Sequence, residues 1–189
     1  MSKDIIGKIL DATLEVVAKE KISGTRMHLI AKEAKMSQSN LHYYYPTKKD
    51  LLIALMDELQ KRFSEKRMES VDLGNKTIRE NIQGLFKEKL DDIVNHKKVD
   101  YAQFDFWVQG TVNLEIKAKF QQSFNEWREN ITTVLNQKEN KLTEVELKLL
   151  PFIMVSIMMG ASMQYLIDEN KFSLDAYFAF AEKLICDLL

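Results

Sequence analysis

The sequence predicts an all-α protein of nine helices, three short ones in front, one long connector, then five more. Three observations carry this expectation. The 189 residues include only 6 Gly and 2 Pro, so few positions interrupt a helix. Lys, Glu, Leu and Ala are plentiful while β-branched runs are few, a composition that favours helix over strand. Apolar residues recur at three-and-four spacing along most of the chain.

The elements follow in order. Ile6, Ile9, Leu10, Thr13, Val16 and Val17 form one apolar face, which predicts a helix over residues 3–20, stopped near Gly24. A short helix over 27–34 would turn Ile30, Ala31 and Ala34 inward. After the tight "KMS" connection, Ser37 can cap a third helix over 38–44. Pro46 ends it. Thr47 and Asp50 have capping-box spacing and open a long helix to residue 69. "DLGNKT", at 72–77, breaks the pattern and marks the boundary between an N-terminal part and a larger remainder. Helical spacing resumes over 78–94, stops at "NHKKVD", and continues over 101–112 and 114–138. A polar loop, "NQKENKLT", leads to a second capping box, Thr143 with Glu146, and a helix to Ile167. Pro151 should kink that helix by freeing the carbonyl of Leu147. "DENKFS" ends it, and Ser173 caps a last helix through Leu188.

Composition narrows the function class. The lone Cys186 cannot form an internal disulfide, which points to a reducing, cytoplasmic setting. The N-terminus lacks the apolar core of a secretion signal. "LLPFIMVSIMMGASMQYLI" is long and apolar, but Pro151, Ser156, Gly160, Ser162 and Gln164 interrupt it, so a buried core helix is expected and no membrane partner. Residues 1–51 carry nine Lys/Arg against six Asp/Glu, while the rest carries 18 against 22. A basic front on an acidic body suits an anionic partner for the front alone. The three histidines are scattered, and no metal-ligand pair, Gly-rich phosphate loop or nucleophile elbow is present; an enzyme is not expected, nor a metal or cofactor.

The decisive stretch is "SQSNLHYYYPTKKDLL". Helix two, a tight turn and a short third helix make a helix-turn-helix pattern. Leu41 and Tyr45, four apart, should face inward, leaving Gln38, Ser39, Asn40, His42, Tyr43 and Tyr44 outside. Amides can pair with base edges and phenols with phosphates, and Lys48 can reach a phosphate as well. A helical interaction module without DNA binding is the alternative, but it leaves this amide and phenol face unexplained.

"LIAKEAKMSQSNLHYYYPTKKDLL" resembles the DNA-binding segment of the TetR family of bacterial transcriptional regulators. Ile30, Ala31, Ala34, Ser37, Leu41, Tyr44, Tyr45, Thr47, Lys48 and Leu51 match the family pattern. The resemblance implies a TetR-like architecture: a helix-turn-helix domain at 1–47, a connecting helix at 48–72, and a ligand-binding and dimerisation domain at 73–189. It implies contacts to double-stranded DNA from Thr25, Arg26, His28, Gln38, Ser39, Asn40, His42, Tyr43, Tyr44 and Lys48, with Arg26 and His28 open to a purely solvated reading. Three departures stand out. Lys35 occupies the position where Gly usually ends helix two in a left-handed turn, at a cost of roughly 1 kcal/mol. His42 stands where Tyr is usual. The usual Ser/Thr cap of helix two falls one residue after Thr25, which leaves Thr25 and Arg26 both as candidates for the cap.

The resemblance also implies a ligand cavity among the later helices. Phe104, Trp107, Phe124, Trp127, Met158 and Tyr165 are its candidate lining, with Gln164 and Asn113 as polar partners, for a small apolar or cationic molecule. "FDFWVQG" and "FNEW" look similar to the choline-responsive branch. The family pairs its last two helices across a two-fold axis, so a homodimer is implied, with Gly160, Ala161 and Ser162 allowing close helix approach. The implied function is a ligand-responsive regulator, a repressor released from a palindromic operator.

Overall fold

The computed structural model describes residues 2–137, 141–171 and 173–189. Among these there are nine helices and no strand: α1 (Ser2–Gly24), α2 (Met27–Glu33), α3 (Gln38–Tyr44), α4 (Lys48–Ser70), α5 (Ile78–Asn95), α6 (Lys97–Gly110), α7 (Leu114–Leu135), α8 (Glu144–Ile167) and α9 (Leu174–Cys186). The all-α expectation is met. The expected break at 95–100 shrinks to His96, because α6 begins four residues earlier than its apolar spacing suggested. The expected loop at 136–143, the helix end at 138 and the break at 168–173 fall partly outside the described residues.

Local chemistry sets several helix starts. Ser37 accepts from the Asn40 amide. Both expected capping boxes form: Thr47 with Asp50, and Thr143 with Glu146. A third, Thr77 with Glu80, opens α5. Each box satisfies two amides that the helix itself cannot pair. Pro151 sits inside α8 in its second turn, and the helix runs on through it.

The chain divides into two compact units, Met1–Arg62 with Lys98–Gln121, and Phe63–Lys97 with Gln122–Leu189. In the first, α1 packs on α2 and α2 on α3. Ile9, Val17, Ile30, Ala34, Leu41, Leu51 and Leu55 are all buried there. The second unit is built on one apolar cluster from α5, α7, α8 and α9, with Ile82, Leu85, Ile131, Met154, Met158 and Phe178 at its heart. Cys186 is buried in it. Gly84 is required here: a β-carbon at this position would lie 2.6 Å from the Ser70 carbonyl oxygen.

Helix α8 is, among the described residues, the one helix long and apolar enough to cross a membrane. Its inner side, including Leu150, Met154, Met158, Ala161 and Ser162, is buried against its own unit. Ala161 and Ser162 therefore face this chain's core, not a second helix partner, because the helical period puts them on the same side as Met154 and Met158. Phe152, Ile153, Leu149 and Met163 on α8, and Phe180 and Leu184 on α9, are exposed.

Candidate nucleic-acid interface

Helix α3 is oriented from beneath by Leu41, which is fully buried, and it begins on the Ser37 cap. Gln38, Ser39, Asn40, His42 and Tyr43 are exposed, with Tyr43 at 80%. The three tyrosines do not divide as the sequence suggested. Tyr44 is half-buried and stacks edge-on to Tyr43 at 5.2 Å, and Tyr45 is half-buried instead of sealed in the core. The reason is that Tyr45 is already past the last helical residue, with extended backbone, so the four-residue spacing from Leu41 no longer sets its direction. Burial, then the nearby Glu58 carboxylate, raise the pKa of its phenol.

His42 carries a definite hydrogen-bond chain. Its Nδ1 lies 3.0 Å from the Pro46 carbonyl oxygen, which can only accept, so Nδ1 holds the proton. The other ring nitrogen, Nε2, lies 3.3 Å from the Gln38 side-chain nitrogen, which donates to it. Gln38 thus keeps its carbonyl oxygen and one N–H for outside use.

The turn before α2 is held more firmly than the sequence implied. Lys21 has a backbone of φ 60, ψ 168, uncommon for a non-glycine residue. The surroundings over-determine it. The Lys21 carbonyl accepts from both the amide (2.9 Å) and hydroxyl (2.7 Å) of Thr25. The Ile22 amide donates to Asp105 Oδ2 at 2.5 Å, and Lys48 Nζ donates to the Ile22 carbonyl at 2.5 Å. Thr25 is therefore fully buried with its hydroxyl engaged, and does not stand on the exposed face with Gln38, Ser39, Asn40, His42 and Tyr43. Arg26, not Thr25, occupies the N-cap position of α2, without a side-chain cap bond. Its guanidinium bonds the Ser23 carbonyl at 2.6 Å and the Thr25 carbonyl at 3.0 Å. His28 is exposed. Lys48 is half-buried, and burial, reinforced by Arg26, lowers its ammonium pKa. Lys35 adopts the left-handed turn, φ 53, that its position called for. Asp105 was not foreseen in this role; it lies 83 residues from Ile22, and no local spacing signals such a pairing.

Of the residues proposed to line a cavity, Phe104 and Trp107 fall in the first unit, while Phe124, Trp127, Met158 and Tyr165 fall in the second. Trp127 and Met158 are buried in the second unit's core, with Phe124 and Tyr165 packed against it. Lys97 Nζ sits 5.2 Å from the Tyr165 ring centre. Asp91, Asp92 and His96 are, among the described residues, the one group of metal-type donors that come together. Lys66 Nζ, 2.6 Å from Asp92 and 3.8 Å from Asp91, already supplies a cation there.

Residues 9–55 match the family model described as bacterial regulatory proteins, tetR family. That span contains α2, α3 and the whole exposed face just described. The N-terminal helix-turn-helix is thus similar to the DNA-binding segment of that family. Solved structures share the fold over nearly the full length. A TetR transcription regulator from Haloarcula marismortui is 21% identical, with 98% of this chain and 96% of that one covered and a TM-score of 0.82. A Saccharomonospora viridis regulator in complex with choline gives the same identity, coverage and TM-score. The Bacillus subtilis regulator FadR, in complex with stearoyl-CoA, is 19% identical over 96% and 98% of the two chains, with a TM-score of 0.78. No curated protein sequence matches. The family likeness rests on residues 9–55, and the solved structures extend the shared fold to the whole chain.

Proposed function

We propose that the protein is a cytoplasmic, homodimeric repressor that leaves a near-palindromic operator when a small molecule binds. The observation that carries this reading is the exposed α3 face, where Gln38, Asn40 and Tyr43 project from a helix anchored by a buried Leu41. Two such helices would enter successive major grooves about 34–36 Å apart. Gln38, Ser39 and Asn40 read base edges; Tyr43, Arg26, His28 and the remaining N–H groups of Lys48 touch phosphates. Residues 1–47 act as the reader, 48–72 as the connection, and 73–189 as the ligand and dimer part.

The second copy covers the apolar groups that α8 and α9 leave in solvent. Phe152, Ile153, Phe180 and Leu184 are each at least 45% exposed, an arrangement uncommon on a monomer. The ligand is a small molecule with apolar surface. It acts only through unequal affinity for the two conformers, since equal binding shifts nothing.

Gel-shift titration against upstream fragments tests the reading. Wild type retards an operator. Tyr43→Ala weakens all sequences alike and flattens the salt dependence, whereas Gln38→Ala relaxes base preference at one position. Phe180→Glu yields a monomer in sedimentation. Absence of retardation by any fragment, with a folded dimer, would favour the interaction-module alternative.

A further inference from the structure

In the second unit, Arg67 on α4 is 5% exposed, yet its Nε and Nη2 atoms have no hydrogen-bond partner. These two atoms form the side-on fork of a guanidinium, the edge that grips a carboxylate or phosphate with two parallel N–H···O bonds. A buried charge with two idle donors is costly, and such groups normally have a partner. The flat face of the guanidinium is taken by a ring: its carbon lies 4.9 Å from the Trp127 ring centre, so the indole backs the cation and leaves its edge free.

The acids around Arg67 do not hydrogen-bond its fork, and the buried Oδ2 of Asp92 is likewise without a hydrogen-bond partner. On α5, Asp92 takes Lys66 Nζ at 2.6 Å through Oδ1. Glu88 hydrogen-bonds to Asp92, and burial together with that neighbouring carboxylate pushes the Glu88 carboxyl up to about 8, so it is largely neutral at physiological pH. On α7, Glu126 accepts from Gln122 at 2.9 Å and is part-exposed. Each remains close enough to favour the cation, but none satisfies its fork.

We infer that Arg67 is the anion-receiving group of the ligand site, and that the effector is an apolar molecule ending in a carboxylate or phosphate. This rests on the reading that the later helices hold a ligand, and it selects within that reading. The aromatic group that suggested a cationic ligand, Trp127, already has a cation on its face. An effector's own positive charge would meet Arg67; a carboxylate meets its open edge.

The test uses the full-length dimer carrying Trp107→Phe, so that emission reports Trp127. Octanoate, octyl phosphate, 1-octanol and octyltrimethylammonium are titrated in turn. Octanoate or octyl phosphate, whichever the fork accepts, should bind about tenfold to a hundredfold more tightly than 1-octanol, the range for a charge-assisted pair. The two anions distinguish carboxylate from phosphate recognition. In Arg67→Met the preference should fall to near one, with the helical spectrum read alongside to show that the variant is folded. Arg67→Lys, which keeps the charge but loses the fork, should lose most of it. Equal binding of octanol and both anions overturns the inference yet leaves the apolar ligand site standing. Tighter binding of the ammonium, an anion preference that survives in Arg67→Met, or no response to any probe, as for a fork satisfied by water alone, also overturns it. Operator release by a wider small-molecule screen separately tests the ligand reading.

Discussion

Asp105→Ala should unsettle the front of the molecule although position 105 lies far from it in sequence. The carboxylate accepts from the Ile22 amide at 2.5 Å, and Ile22 is 6% exposed. A hydrogen bond to a charged group contributes about 1.5–3 kcal/mol, and its loss leaves a buried N–H without an acceptor. Asp105 also supports the Lys48 ammonium, whose bond to the Ile22 carbonyl holds the same turn. A total loss of about 2–3 kcal/mol is expected. At about 2–4 °C per kcal/mol for a chain of this size, melting should fall by roughly 5–10 °C. Thermal unfolding by circular dichroism measures this, and amide exchange at Ile22 reports the site itself. Asp105→Asn, which keeps a neutral acceptor, should lose about half as much. If Asp105→Ala melts within about 1 °C of wild type and Ile22 stays protected from exchange, the clamp does not hold the turn.

Other perturbations have defined signs. Lys35→Gly should stabilise by about 1 kcal/mol, since glycine removes the left-handed penalty at φ 53; denaturant unfolding reads it. Gly84→Ala should destabilise by about 1–3 kcal/mol by forcing α5 off the end of α4. Glu88 has a folded pKa of about 8 against an ordinary 4.5, so the stability it contributes is full below 4.5 and is lost as pH rises through 8. Glu88→Gln should therefore gain on wild type as pH climbs across that window in chemical unfolding curves. Glu80 and Glu146 behave oppositely. Thr77 and Thr143 lower their pKa values, so the two capping boxes hold above the ordinary carboxylate value and weaken as pH falls through the lowered one. In acid, Glu146→Gln should narrow its stability gap to wild type.

What could be read from the sequence was whatever depends on near neighbours. Ser37, Thr47 and Thr143 announced their helix starts, because a cap needs only residues three or four apart, whereas the left-handed turn at Lys35 followed from the family resemblance alone. The exposed amides of α3 followed from helical period and a buried Leu41. Tyr45 misled because the period was carried one residue past the helix end. Thr25 misled because its hydroxyl had a backbone partner in the preceding turn. The Asp105 clamp and the Arg67 fork were invisible, since each depends on which helices meet in space.

The contact at Gly84 reaches beyond this one chain. A backbone that passes 2.6 Å from where a methyl would sit admits no other amino acid without moving its neighbour. Any relative that carries Ala or Ser at the equivalent place must have drawn the end of its α4 aside or shortened it. One column of an alignment should thus sort such regulators by how closely those two helices cross.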